Sequence, residues 1–285
     1  MKLRFTKMHG ISNDYVYIST FDQEVKDPEK LSVILSDRRT GIGGDGIILV
    51  CPSEIADAKM RIFNADGSEA MMCGNGIRCV GKFVYDKGLV PPEKTTVTID
   101  TLSGVKTLAL TVSDGEVQTA RVDMGAAVLE PQKIPARFFG DRMVDIPLEV
   151  EGRTWNVTAV GMGNPHCVTF VDDVDSLDLE RIGPSFENHP AFPNRVNTEF
   201  VKVIDDHTLQ MRVWARGSGE TWACGTGACA TAVAACENGF CKKGEDITVH
   251  LRGGDLVINY TDDTVIMTGP ATTVFEGQVE VPSAW

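Results

Sequence analysis

The sequence has no surplus of positive charge: 27 Lys and Arg stand against 40 Asp and Glu, a formal net charge of −13. A nucleic-acid partner needs a basic face, so this balance argues against one. A small anionic substrate held by local dipoles stays open. No apolar run approaches the ~20 residues of a membrane span; the longest lies around Gly46–Cys51, so no membrane partner is expected. The first ten residues, MKLRFTKMHG, lack the apolar stretch of a secretion signal. The expected location is therefore cytoplasmic, with reduced cysteines. None of the eight cysteines forms a C-x-x-C pair, and zinc sites are built from such short spacings. Cys236 and Cys241 with His250 come nearest, and no metal is expected. No low-complexity linker is present either.

What is present is a long internal repeat, the feature that most alters a fold assignment. Residues 61–76, RIFNADGSEAMMCGNG, lie on residues 212–227, RVWARGSGETWACGTG, at an offset of 151 without a gap. Arg61 meets Arg212, Glu69 meets Glu220 and Cys73 meets Cys224; Gly74 and Gly76 meet Gly225 and Gly227. The same offset carries Gly10 and Asn13 onto Gly161 and Asn164. The period is too long for a solenoid and reads as one duplicated domain. At 285 residues, 42% hydrophobic, the chain has apolar mass for two cores. The expected domains are residues 1–125 with a C-terminal strand at about 272–285, and residues 126–271.

Alternating apolar residues predict strands at 1–20 (broken by a turn at 10–14), 47–51, 59–64, 97–112 and 117–124. The second copy continues with strands at 148–161, 166–171, 198–204, 208–215, 248–251, 256–259, 265–268 and 272–281. Helical spacing predicts helices at 28–39, 74–87, 177–186 and 225–237. The last is rich in alanine, which permits close approach on every side, so it is expected at the centre of its domain. Each copy is thus many strands around one major helix, an α/β (α+β) domain in duplicate with a cysteine at the helix entry.

A helix start offers unpaired N–H groups and the positive end of the dipole. A cysteine there is expected to have a lowered pKa and a usable thiolate fraction. Glycines leave the N–H groups open to a substrate carboxylate. Two such entries would place a thiolate and a thiol on either side of one carbon, the requirement for racemisation or epimerisation. A lone buried cysteine is ordinarily core; repetition in register, before a helix, favours function for Cys73 and Cys224. The other six cysteines read as core. His166, between a turn and a strand, is a candidate to tune a thiol. GIGGDG at 41–46 matches a dinucleotide fingerprint in letters, but it enters a strand rather than a helix, so no such cofactor is expected.

The motifs GISNDY, GIGGDG, FNADGS, MCGNGIRC, GNPHC, RVN and RGSGETWACGTGACA occur in order over essentially the whole chain. The chain resembles the diaminopimelate epimerases, which work without pyridoxal. The resemblance implies two pseudo-symmetric domains, each a barrel-like mixed or antiparallel sheet around a central helix. It places the site in the cleft between them, requires no cofactor, and implies a homodimer acting on a small amino-acid substrate. By the same resemblance Cys224 accepts and Cys73 donates a proton in the L,L-to-meso direction, with His166 in the catalytic group. Gly74, Asn75, Gly225 and Thr226 would hold the reacting carboxylate and amine. Asn13, Asn64, Asn164 and Asn197 would line the site, and Arg216 would bind the distal carboxylate. Two positions depart from the family pattern. Gly46 stands where glutamine is frequent. Ala215 replaces the glutamate of the usual Glu-Arg-Gly, a residue associated with tuning the cysteines. The alternative is a related cofactor-independent racemase of histidine, glutamate or hydroxyproline, or a weakened or inactive variant because of Ala215.

Overall fold

The computed structural model describes residues 2–281; residues 282–285 of the expected tail strand lie outside the described residues. The described chain divides into two compact units. One runs to Val122 and resumes at Thr268; the other is Asp123–Met267.

The first unit contains β1 (Lys2–Gly10), β2 (Asn13–Ser19), α1 (Pro28–Ser36), β3 (Gly46–Cys51), β4 (Ala58–Asn64), β5 (Glu69–Ala70) and α2 (Gly74–Asp86). It continues through β6 (Thr96–Thr101), β7 (Gly104–Ser113) and β8 (Glu116–Asp123). The second contains β9 (Ile146–Val150), β10 (Arg153–Gly161), β11 (Pro165–Phe170), α3 (Leu179–Glu187), β12 (Asn197–Asp205), β13 (Thr208–Ala215) and β14 (Gly219–Thr221). There follow α4 (Gly225–Glu237), β15 (Asp246–Leu251), β16 (Gly254–Tyr260) and β17 (Val265–Pro270), whose last three residues already belong to the first unit. The final strand, β18 (Thr272–Glu280), returns to the first unit and pairs antiparallel with β1.

In the first unit the ladder runs β18, β1, β2, β3, β4, β6, β7, β8, antiparallel except for β2–β3 and β4–β6. In the second it runs β9, β10, β11, β12, β13, β15, β16, antiparallel except for β11–β12 and β13–β15. The parallel steps fall where a helix intervenes in the chain, as a crossover demands. The repeat extends to register: Val16 pairs with Ile47 and Ile48 with Ile62, and 151 residues on Cys167 pairs with Thr198 and Glu199 with Val213.

Helix α2 touches β1, β2, β3, β4, β6 and β7, and α4 touches β10, β11, β12, β13, β15 and β16. Six strands laid flat would span roughly 25 Å at their usual spacing, more than a helix of ~10 Å diameter can reach. Each sheet therefore curls about its helix. Burial follows: Ala228, Ala230, Ala232, Ala234 and Ala235 of α4 are all buried. The second unit packs a further aromatic cluster, with Trp155, Phe186 and Phe200 edge-to-face at 5.2–5.9 Å between centroids.

Some expected boundaries move for local reasons. Helix α1 stops at Ser36 rather than near 39 because the Asp37 carboxylate accepts from the N–H groups of Arg39 and Thr40 at 2.8 and 2.6 Å. The stretch 97–112 splits at the turn before Gly104 into β6 and β7. The stretch 148–161 splits at Glu151 and Gly152, both with positive φ, into β9 and β10. The two short strands β5 and β14 carry no periodicity to read.

One packing contact is close enough to predict from. A Cβ on Gly183 of α3 would lie 2.2 Å from Cδ2 of Trp214. The indole N–H donates to Oε2 of buried Glu187 at 2.7 Å, which restrains the ring from moving away. Alanine normally favours a helix over glycine by about 1 kcal/mol; here overpacking dominates, and Gly183→Ala is expected to lose about 1–3 kcal/mol. Denaturant unfolding measures it, and an unchanged or raised midpoint would show that Trp214 yields.

Candidate active site

Cys73 and Cys224 are the N-cap residues of α2 and α4, with extended backbones (φ −135°, ψ 119° and φ −145°, ψ 104°). In each, Sγ accepts from the N–H of the glycine three residues on, Gly76 or Gly227, at 3.3 Å. The sulfur thus stands where a capping oxygen usually does. Both cysteines are half-buried.

Around Cys73, the thiol donates to Oδ1 of Asn13 at 3.3 Å, and Nδ2 of Asn75 donates to the same oxygen at 3.4 Å. Asn13 follows a tight turn in which Ile11 and Ser12 both have positive φ (47° and 70°), the geometry that closes a two-residue hairpin. From behind, Nδ2 of Asn13 donates to Asp45 at 2.6 Å, and Arg38 bridges Asp45 and Asp14 at 3.0 and 2.7 Å. Buried Lys7 pairs with Asp14 at 2.6 Å and donates to the Gly43 carbonyl. Burial alone would raise the Asp14 carboxyl, but Arg38 and Lys7 hold it below the usual range.

The expected lowering of the thiol is overturned at Cys73. Burial pushes it up, and the opposing pull of the Gly76 and Asn75 backbone N–H groups and of Arg78 does not offset this. Desolvation of the thiolate outweighs the helix terminus. Arg78 itself is fully buried and donates to the carbonyls of Gly74 and Pro270 at 3.1 and 3.2 Å, tying the helix start to the strand before β18.

Around Cys224 the partners differ. Thr226 Oγ1 lies 3.7 Å from its sulfur. His166 is fully buried, with Nδ1 2.7 Å from Oε1 of Glu199 and Nε2 2.9 Å from Oδ1 of Asn164. Asn197 is buried as well, and its amide bonds within the protein: it donates to the Pro165 carbonyl and accepts from the Arg216 N–H, both at 2.9 Å. It therefore braces the turn carrying Arg216, while an Asn amide has a second N–H and a second lone pair besides. The Arg216 guanidinium donates to the Asn194 carbonyl at 3.0 Å. Asn64 ends β4 and donates to Ser68 Oγ at 3.0 Å; Ala215, its counterpart in the repeat, ends β13 and is half-buried.

Within the first unit the structure gathers Asn13, Cys73, Gly74 and Asn75; within the second it gathers Asn164, His166, Cys224, Gly225 and Thr226, with Asn197 and Arg216 bonded together. Sequence reasoning missed Glu199 and the cluster of Lys7, Asp14, Arg38 and Asp45. Glu199 had one available signal, a carboxylate two residues after the RVN motif and directly before the apolar Phe200 and Val201.

The model of the diaminopimelate epimerase family matches residues 5–130 and 158–274. The chain belongs to the diaminopimelate epimerase family. Among relatives, the diaminopimelate epimerase of Acetivibrio thermocellus is 52% identical over 281 residues, covering 98% of this chain and 99% of the relative. That of Methanococcus maripaludis strain C5 is 50% identical, covering 98% and 100%. Solved structures extend the likeness at the level of fold. A phenazine biosynthesis protein of the PhzF family from Bacillus anthracis aligns with a TM-score of 0.72 at 17% identity, over 99% of this chain and 100% of that one. A hydroxyproline epimerase from Agrobacterium vitis, solved with trans-4-hydroxy-L-proline bound, aligns at 0.70 and 14%, over 98% and 92%.

The first departure from the family pattern has a local counterpart. A Cβ on Gly46 would lie 2.1 Å from the Phe63 carbonyl oxygen and 3.0 Å from the Tyr15 ring. This backbone admits no glutamine there.

Proposed function

We propose that the protein interconverts LL- and meso-diaminopimelate without pyridoxal, using Cys73 and Cys224 as the proton-transfer pair. The observation that carries this reading is the duplicated helix cap. Two half-buried cysteines each accept one helical N–H, at the same distance and the same place in the repeat.

In the L,L-to-meso direction the Cys224 thiolate takes the α-hydrogen as a proton, leaving its electron pair on the carbon and the substrate carboxylate. The Cys73 thiol then gives its proton to the opposite face of that carbon. One C–H bond breaks and one forms, one S–H forms and one breaks, and the net charge is unchanged. The raised Cys73 thiol suits this order, since burial keeps its proton on until the carbanion forms. The open N–H groups at the starts of α2 and α4, around Gly74, Asn75, Gly225 and Thr226, serve the negative charge that develops on the carboxylate. Arg216 takes the distal carboxylate, which a short amino acid lacks. Asn13, Asn64 and Asn164 orient the polar groups of the substrate, and Asn197 acts through Arg216. We place the enzyme, as a homodimer, in the cytoplasm, in the making of lysine and peptidoglycan precursors.

Incubation with LL-diaminopimelate in D2O tests this reading. Meso product carrying deuterium at one α-carbon is expected. Recovery of unlabelled LL substrate with no meso isomer would refute it.

A further inference from the structure

The two thiols are related by the repeat, yet they rest on different floors. Residue 48 in β3 and residue 199 in β12 correspond at the 151-residue offset, and they pair with Ile62 and Val213 respectively. A methyl placed on Gly76 would lie 2.8 Å from Cδ1 of Ile48. A methyl placed on Gly227 would lie 2.7 Å from Oε1 of Glu199 and 3.0 Å from Sγ of Cys224. The ground beneath Cys73 is an isoleucine, with the Tyr15 hydroxyl also hydrogen-bonded to its sulfur, and that beneath Cys224 is a carboxylate. Likewise His166 of the second unit corresponds to Tyr15 of the first.

Glu199 is fully buried, and its Oε2 has no hydrogen-bond partner among the described residues. A buried, half-satisfied carboxylate is costly, and a fold keeps one where it has a task. Its Oε1 meets Nδ1 of His166. If Asn164 presents its carbonyl to Nε2, both ring nitrogens donate; if its amide is turned, Nε2 accepts and Nδ1 donates. In both arrangements the N–H at Nδ1 points to Glu199, so the carboxylate dictates the ring's orientation and with it that of Asn164.

We propose that Glu199 is the positioning residue that separates the two thiols: it orients His166 and Asn164, and it gives Cys224 a firmer hold on a proton than an apolar floor would. This rests on the reading of Cys73 and Cys224 as the acid–base pair. A negative charge beside a sulfur opposes the thiolate and favours the protonated state that Cys224 reaches once it has taken the α-hydrogen. The titratable groups facing Glu199 are His166 and Cys167 from β11 and Cys224 from the start of α4; β13 presents Val213. Burial and the neighbouring Glu199 both push the Cys167 thiol up. Oε1 of Glu199 and the atoms of Cys224 are the three nearest to the position a Gly227 methyl would take, nearer than any atom of His166.

The test is the rate of alkylation of each cysteine by iodoacetamide against pH, read by peptide mass spectrometry, in the wild type and in Glu199→Gln. The midpoint for Cys224 is expected to fall by about one pH unit or more, while that for Cys73 stays in place. Turnover is expected to show kcat reduced by about tenfold or more, with KM rising by less than kcat falls, since Asn164 alone among the proposed binding groups loses its support. Glu199→Asp, which keeps the charge but withdraws it, should lie between. A Cys224 midpoint that stays or rises, or one that moves together with Cys73, overturns the proposal. If melting shows that Glu199→Gln does not fold, the aspartate variant decides, and an unmoved Cys224 midpoint there overturns it equally. Alkylation needs no turnover, so a wild type inactive on LL-diaminopimelate would sink the proposed function, whereas the effect of Glu199 on the Cys224 midpoint would still be measured.

Discussion

Cys73→Ser and Cys224→Ser are each expected to lower epimerisation of LL-diaminopimelate by about 10²–10⁴-fold, the range spanned by loss of a positioned acid or base. An alcohol is a far weaker acid than a thiol, so a serine neither holds an anion at neutral pH to take the α-hydrogen nor gives up its proton readily. The fold should survive, because serine is among the best N-cap residues and its oxygen can accept the same N–H of Gly76 or Gly227 that the sulfur now accepts. Unchanged melting together with lost turnover would assign the effect to chemistry. Near-wild-type turnover in either variant would end the two-thiol mechanism.

The second large effect concerns Ala215. It is the last residue of β13, half-buried, with its carbonyl accepting from the Ser218 N–H at 3.0 Å and Arg216 directly after it. Asn64 holds the corresponding place at the end of β4. A glutamate at 215 would carry a carboxylate toward the substrate ammonium or a thiol. A hydrogen bond to a charged group contributes about 1.5–3 kcal/mol. Realised in the transition state, that is roughly one to two decades of rate. Ala215→Glu is therefore expected to raise kcat/KM for LL-diaminopimelate by at least about tenfold. Stability should shift by no more than about 0.5 kcal/mol, as for other partly exposed positions without special contacts. Steady-state kinetics of both proteins decides it; an inert substitution would remove position 215 from the site.

Much of this architecture is legible along the chain. Cys73 and Cys224 fall at helix entries because the glycine-rich turns and the helical spacing after them are local signals. The alanine pattern of α4 announces a helix approached from all sides, and the curled sheet buries those alanines. Boundaries set by single side chains are less visible: the Asp37 carboxylate that ends α1 could be known only once its partners were fixed.

The electrostatics of the two thiols lay beyond such reading. The helix terminus argued for a lowered Cys73, yet the desolvation that raises it comes from side chains far apart in sequence and close only after folding. The bonds by which Asn197 braces Pro165 and Arg216 were equally invisible along the chain. The sequence by itself determined the duplication, the paired cysteines and the family, because each is written in order and spacing along the chain. Only the tertiary structure decided that a carboxylate lies under one thiol and an isoleucine under the other. Equivalent strands pass beneath the two helix starts, and it took the folded chain to show that residues 48 and 199 are the ones that meet them.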